Sequence, residues 1–139
     1  MKRILIDADV ILDFFFDRKP FSEFASGIFS LCEGNKINGF VTPVTYCNVY
    51  YLLRQTARHQ KVIEKLTQLL SITDILAIDR NIVLLALNSG FKDFEDALQH
   101  FSAVQDKSID AIITRNIKDY KLSEIAVLTP ENFLSAWNV

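Results

Sequence analysis

Cysteine is scarce in this 139-residue chain: Cys32 and Cys47 stand alone, with no CxxC pair and no histidine cluster beside them. Neither a zinc site nor a disulfide framework is indicated, and both thiols read as small core residues. Glycine and proline are scarce too, with 4 and 3 copies falling at expected turns, so there is no flexible linker, repeat or low-complexity segment. One continuous domain, residues 1–139, is expected. No excess of positive charge marks a nucleic-acid surface: 15 basic against 17 acidic residues give a net charge of −2 and a pI near 5.6. Any such partner must be met locally. Only two histidines occur, His59 and His100, both in helical segments with polar neighbours and both expected at the surface. No apolar run reaches transmembrane length, and the hydrophobic stretch after Lys2 and Arg3 is broken by Asp7, Asp9 and Asp13, unlike a secretory leader. A cytoplasmic protein without membrane contact is expected.

What the chain does have is 50% hydrophobic and 12% aromatic residues, enough for a substantial core. The opening run RILIDADVILDFFF reads as a buried strand that ends at Asp7 and passes into a helix near Val10. Further strands are predicted at 39–42 (GFVT), 73–79 (TDILAID), 110–114 (DAIIT) and 125–129 (IAVLT). Helices are predicted over Val10–Phe16, Ser22–Cys32, Pro43–Arg58, a following segment, Arg80–Ser89, Asp93–Gln105 and Pro130–Trp137. In the fourth of these, Val62, Ile63, Leu66, Leu69 and Leu70 form the stripe expected to face the core. Asp79 is read as a helix cap. Strands alternating with helices imply an α/β fold, a parallel sheet of about five strands with both faces covered.

Acids embedded in apolar sequence need an explanation, because an unpartnered buried charge costs several kcal/mol. Asp7 ends the first strand, where open parallel sheets place their ligand crevice, although Asp7 or Asp9 also suits the N-cap of the next helix. Both readings stand at this point. Asp119 follows the fourth strand, and DFEDAL at 93–98 begins the helix leading into it. Neighbouring strands one and four would bring these acids to one crevice, where clustered carboxylates suit Mg²⁺ or Mn²⁺. Helical geometry speaks against Asp96, because Phe94, Ala97, Leu98, Phe101 and Val104 form the apolar stripe and Asp96 points roughly opposite. That geometry alone makes Asp96 solvated, with Asp93 as a cap.

The segments LIDADVILD, VTPVTYCNVYYLL at 41–53, DFEDALQHFSA at 93–103 and IITRNIKDY at 112–120 occur in an order and spacing that resemble the PIN domain family, which includes toxin ribonucleases of the VapC type. The resemblance implies a three-layer α/β/α sandwich with Rossmann-like topology, whose acids bind Mg²⁺ or Mn²⁺ and hydrolyse phosphodiester bonds in RNA. By motif, Asp7, Asp96 and Asp119 correspond to the catalytic and metal-binding acids, with Thr42, Asn116, Asp9 and Asp93 as secondary candidates. Asn48 stands where toxin-type members carry glutamate, which removes one negative charge that Glu95 or Asp93 would restore. Arg115 and Lys118, with Lys121, flank the segment and are candidates to meet the RNA backbone. RNA, an antitoxin protein and a second copy of the chain are the implied partners. Two alternatives remain: a catalytically degenerate PIN fold that only binds, argued from Asn48, and a haloacid-dehalogenase-like phosphatase with Asp7 as nucleophile. Ile11 and the lack of that family's late paired acids weigh against the phosphatase.

Overall fold

The computed structural model describes residues 1–137. Five parallel strands, β1 (Arg3–Ile6), β2 (Asn38–Val41), β3 (Asp74–Ile75), β4 (Ala111–Ile113) and β5 (Ala126–Leu128), form one sheet in the order β3-β2-β1-β4-β5. Seven helices cover it: α1 (Ala8–Phe15), α2 (Phe21–Glu33), α3 (Pro43–Arg54), α4 (His59–Ile72), α5 (Arg80–Leu87), α6 (Phe94–Asp106) and α7 (Pro130–Trp137). A 3₁₀ turn, Ile117–Tyr120, follows β4. The arrangement is the expected three-layer α/β fold.

The central strands are apolar throughout because each face meets a helical layer. Ile4, Ile6, Val41 and Ile113 pack with α1, α2, α3 and α4, through Val10, Ile28, Val49 and Val62 among others. Leu5, Phe40 and Ile112 point the other way and meet Ala103 of α6 and Tyr120. Beyond them, Ile82 and Ala86 of α5 close on Ala97 and Leu98 of α6. β1 and β4 are neighbours, registered Leu5 to Ile112, so their carboxyl ends border one crevice.

Several expectations change. The third strand shrinks from 73–79 to Asp74–Ile75, because at the sheet's edge only β2 offers it partners. The helix from Pro43 ends at Arg54 rather than Arg58, and Arg58 instead precedes α4. On α4, Val62 and Leu69 are buried, while Ile63 and Leu70 are 42% and 49% exposed, since a one-residue step of about 100° carries them past the buried edge. Cys47 is exposed, whereas Cys32 is in the core. His100 is buried, not superficial, with its ring 5.0 Å from that of Phe91. Asp79 caps α5 as expected, its Oδ1 accepting from Ile82 N at 3.0 Å.

Candidate active site

Asp7 is both strand end and helix cap. Its N–H still donates to Ile113 O at 3.0 Å, as a continuation of the sheet, while its Oδ1 accepts from Ala8 N at 2.8 Å. The two readings of the sequence are thus one arrangement, in which the change from strand to helix fixes the carboxylate at the sheet's edge. Three neutral donors complete its shell: Gln99 Nε2 to Oδ1 at 2.8 Å, Thr114 Oγ1 to Oδ2 at 2.9 Å and Tyr120 Oη to Oδ2 at 3.3 Å. Burial, reinforced by the charges of Asp9 and Asp96, still pushes Asp7 up to about 7.

Asp9, two residues on, accepts at Oδ2 from Arg115 N at 3.0 Å, Thr114 Oγ1 at 3.2 Å and Asn116 Nδ2 at 3.2 Å. A hydroxyl has one proton, so Thr114 serves Asp7 or Asp9 but not both at once. Asp9 Oδ1 is buried without a hydrogen-bond partner among the described residues, and burial raises this carboxyl too.

Asp96 corrects the helical-stripe argument. Gln99, His100 and Ala103, three, four and seven residues beyond Asp96, are fully or almost fully buried, while Phe94 is 48% exposed. The inward face of α6 therefore includes polar residues, and Asp96 lies in line with them. Asp93 is the cap, its Oδ1 accepting from Asp96 N at 3.0 Å. Burial, then Asp93, with smaller contributions from Asp119 and Glu95, pushes Asp96 up to about 7, partly offset by the polar Tyr120 hydroxyl. Asp119, exposed on the 3₁₀ turn, shares with Asp93 and Asp96 a pocket of about 260 Å³ that Lys118 and Lys121 also line.

Two residues that the sequence reading missed organise this cluster. Gln99 accepts at Oε1 from Thr42 Oγ1 at 3.2 Å and Thr45 Oγ1 at 3.1 Å, and its Nε2 reaches Asp7 and, at 3.4 Å, Tyr120 Oη. Thr42 also caps α3, accepting from Thr45 N at 3.2 Å. Tyr120 donates to Asp7, and burial beside the charges of Asp7 and Asp96 raises its phenol far above the usual range. A glutamine beside the apolar stripe of α6, three residues after Asp96, was the available signal for the first; nothing in the sequence distinguished the second.

Asn48 lies beside the cluster and donates from Nδ2 to Glu95 Oε1 at 3.1 Å, so a glutamate is indeed next to the position where the family pattern has one. Arg115 is engaged elsewhere. Its Nε and Nη2 grip Asp13 at 2.5 and 2.9 Å, and Arg18 Nε reaches the same carboxylate at 2.8 Å. This explains the third acid of the opening run: Asp13 is a buried anion held by two arginines.

Asp7, Asp9, Asp96 and Asp119 offer only oxygen, the donor that hard divalent cations take, and Asp9 Oδ1 is an unused one. Among the described residues, no lysine or arginine forms an ion pair with any of the four. In kind the donors fit Mg²⁺ or Mn²⁺. In placement, among the described residues no three His, Cys, Asp or Glu side chains are gathered into a ligand group, and the Tyr120 hydroxyl donates to Asp7.

A PIN domain family model matches residues 3–118. Ribonuclease VapC1 of Aquifex aeolicus (strain VF5) is 25% identical over 142 residues, spanning 99% of this chain and 96% of that protein. A toxin–antitoxin complex from Klebsiella pneumoniae contains a chain of the same fold, with TM-score 0.68 and 21% identity, covering 91% of this chain and 97% of that one. Mycobacterium tuberculosis VapC20, described as a toxin that cleaves the sarcin–ricin loop, superposes with TM-score 0.61 at 11% identity, covering 78% and 86%.

Proposed function

The chain belongs to the PIN domain family, and on that premise we propose that it is a Mg²⁺- or Mn²⁺-dependent endoribonuclease, the toxin half of a toxin–antitoxin pair, built as a single domain over residues 1–139. The haloacid-dehalogenase-like reading falls with the family assignment. The observation that carries the proposal is the pair of carboxyls at one sheet edge, Asp7 and Asp96, both pushed up to about 7 by burial and by other acids. Such uncompensated negative charge marks functional sites and is relieved by a cation.

Asp7, Asp96 and Asp119, with Asp9 beside them, are the residues that would hold the metal. When bound, it supplies charge neutralisation at a phosphate oxygen and lowers the pKa of an attacking water. The chain's own side chains do the positioning. Gln99 and Thr114 fix the two oxygens of Asp7, and Tyr120, which keeps its phenolic proton, donates to Oδ2. Asn116 and the Arg115 N–H fix Asp9. Lys118 and Lys121, which line the same pocket, would meet phosphate oxygens.

The named relatives support the substrate class and the partner: one is a ribonuclease, one a toxin that cleaves an RNA loop and one a toxin–antitoxin complex. A homodimer is supported by exposed Leu84, Leu85 and Leu87 on α5. A cytoplasmic location agrees with the finding that, among the described residues, no helix is long and apolar enough to cross a membrane. A non-catalytic binding module is the second reading, favoured by the finding that, among the described residues, no three His, Cys, Asp or Glu side chains are gathered into a ligand group. An RNA cleavage assay in Mg²⁺, Mn²⁺ or EDTA, run beside Asp7→Asn, separates the two. Cleavage that requires metal and is lost in the variant is expected; equal activity in the variant or in EDTA overturns the nuclease reading.

A further inference from the structure

A second pocket, also of about 260 Å³, opens between α2 and α7 and is lined by Phe21, Phe24, Arg115, Thr129, Pro130 and Glu131. It shares no lining residue with the pocket that holds Asp96 and Asp119. Yet it belongs to the same edge of the sheet, since Arg115 and Thr129 follow the paired strands β4 and β5. One residue joins it to the acids: the Arg115 N–H donates to Asp9 Oδ2 at 3.0 Å, while the Arg115 side chain forms the pocket wall.

That side chain is held flat. Asp13, 1% exposed, takes its Nε and Nη2, and the guanidinium carbon lies 4.0 Å from the centroid of the Phe21 ring. With its charge given to Asp13, Arg115 is poorly placed as the phosphate clamp that the sequence suggested. What it presents is a planar surface stacked on an aromatic one. Across the pocket, in the first turn of α7, Glu131 forms no hydrogen bond or ion pair among the described residues and is a free acceptor.

Planar groups beside a carboxylate acceptor match a flat ligand with N–H donors on its edge. Unpaired RNA bases are bound in this way, by stacking on aromatic rings or guanidinium planes and by hydrogen bonds to their edges. The volume suits a single base rather than a larger ligand. We propose that the pocket between α2 and α7 receives an unpaired nucleobase of the RNA next to the bond cut at the acidic crevice. Glu131 then selects guanine first, because N1–H and N2–H₂ offer a carboxylate two adjacent donors. This rests on the ribonuclease reading for the identity of the substrate, but base binding can be tested without cleavage.

The test is a titration of the wild-type chain in EDTA with GMP, AMP, CMP and UMP, followed by ¹H–¹⁵N NMR. The expected result is that GMP shifts the amides of Phe21, Phe24 and Glu131 at lower concentration than the other three. Glu131→Gln should remove that preference for GMP. Phe21→Ala should weaken all four by about tenfold, as loss of a stacking ring does, and Phe21→Tyr should restore them. If no nucleotide shifts these amides, or if they respond only to an apolar peptide, the pocket belongs to a protein partner and the proposal is overturned. GMP binding in a chain that cleaves no RNA would sink the nuclease reading and leave the pocket standing as a base-binding site; cleavage without base binding would do the reverse.

Discussion

Replacing Asp7 by asparagine should make the metal-free protein more stable while abolishing cleavage. Asp7 is held in the fold at about 7 against an ordinary 3.8, a difference of about three units and about 4 kcal/mol at the conversion of about 1.4 kcal/mol per unit. Below pH 4 the folded and unfolded chains both carry the proton, and the group contributes nothing. Between about pH 4 and 7 the unfolded chain releases it while the fold retains it, so stability falls as pH rises, and above 7 the full penalty applies. Asparagine removes that ionisation. Its oxygen can keep the bonds from Ala8 N and Gln99 Nε2, and its amide can donate to Thr114 and Tyr120, whose hydroxyls also accept. Thr114 is then free to give its proton to Asp9.

Allowing about 1–1.5 kcal/mol for weaker hydrogen bonds, the net gain at pH 8 is about 2–3 kcal/mol. For a chain of this size that is roughly 6–10 °C in melting temperature. The assay is a set of thermal melts of wild type and variant in EDTA from pH 4 to 8, repeated in Mg²⁺. The variant should melt slightly below the wild type near pH 4, cross it as pH rises and lie above it at pH 8, and Mg²⁺ should raise the wild type alone. A variant that melts below the wild type at pH 8, or keeps the same pH slope, would refute the idea that Asp7 is held against its own charge.

Asp96→Asn should also abolish metal-dependent cleavage with the fold intact, which a far-ultraviolet spectrum beside the activity assay checks; retained activity would return Asp96 to a merely solvated role. Asn48→Glu puts a carboxylate against Glu95, where Asn48 now donates at 3.1 Å, so its melting temperature should fall in EDTA and rise more steeply than the wild type's with Mg²⁺ or Mn²⁺. An unchanged melt in both conditions would mean that residue 48 does not border the site. Asp13→Ala strips two arginines of their shared anion and should cost about 2–3 kcal/mol in urea unfolding. Gly39→Ala should cost about 1–3 kcal/mol, because its Cβ would lie 2.7 Å from Cys32 Sγ and 3.0 Å from Ile6 Cδ1.

The central sheet was legible because strands buried on both faces leave short apolar runs, as in Ile4–Ile6 and Ala111–Ile113. β3 was not, since an edge strand with one neighbour needs only two paired residues and leaves the rest of TDILAID to a loop. Caps were legible at Asp79 and Asp93, where a short acid precedes a helix. The direction of Asp96 was hidden by hydropathy itself. α6 buries Gln99, His100 and Ser102 and leaves Phe94 exposed, so a stripe drawn through apolar residues turns the helix the wrong way. Motif order, rather than periodicity, put Asp96 among the candidates. Arg115 shows the converse limit: its charge was plain in the sequence, but its partner Asp13 lies 102 residues away.

The bonds around Gln99 divide the molecule into two regions that should tolerate mutation differently. On the side of α1 and α2 the sheet is met by aliphatic and aromatic contacts, which have no preferred direction and accept exchanges of similar volume. On the side of α6, one amide is spoken for by Thr42, Thr45, Asp7 and Tyr120, from three other parts of the chain. A slip of α6 by one turn would move that amide by about 5.4 Å and break every one of those bonds. Insertions between α5 and α6 should therefore be absorbed in the intervening loop, while α6 itself stays in register. Substitutions that survive selection should accumulate on the α2 side and spare position 99, although residue 99 acts only by holding other side chains in place.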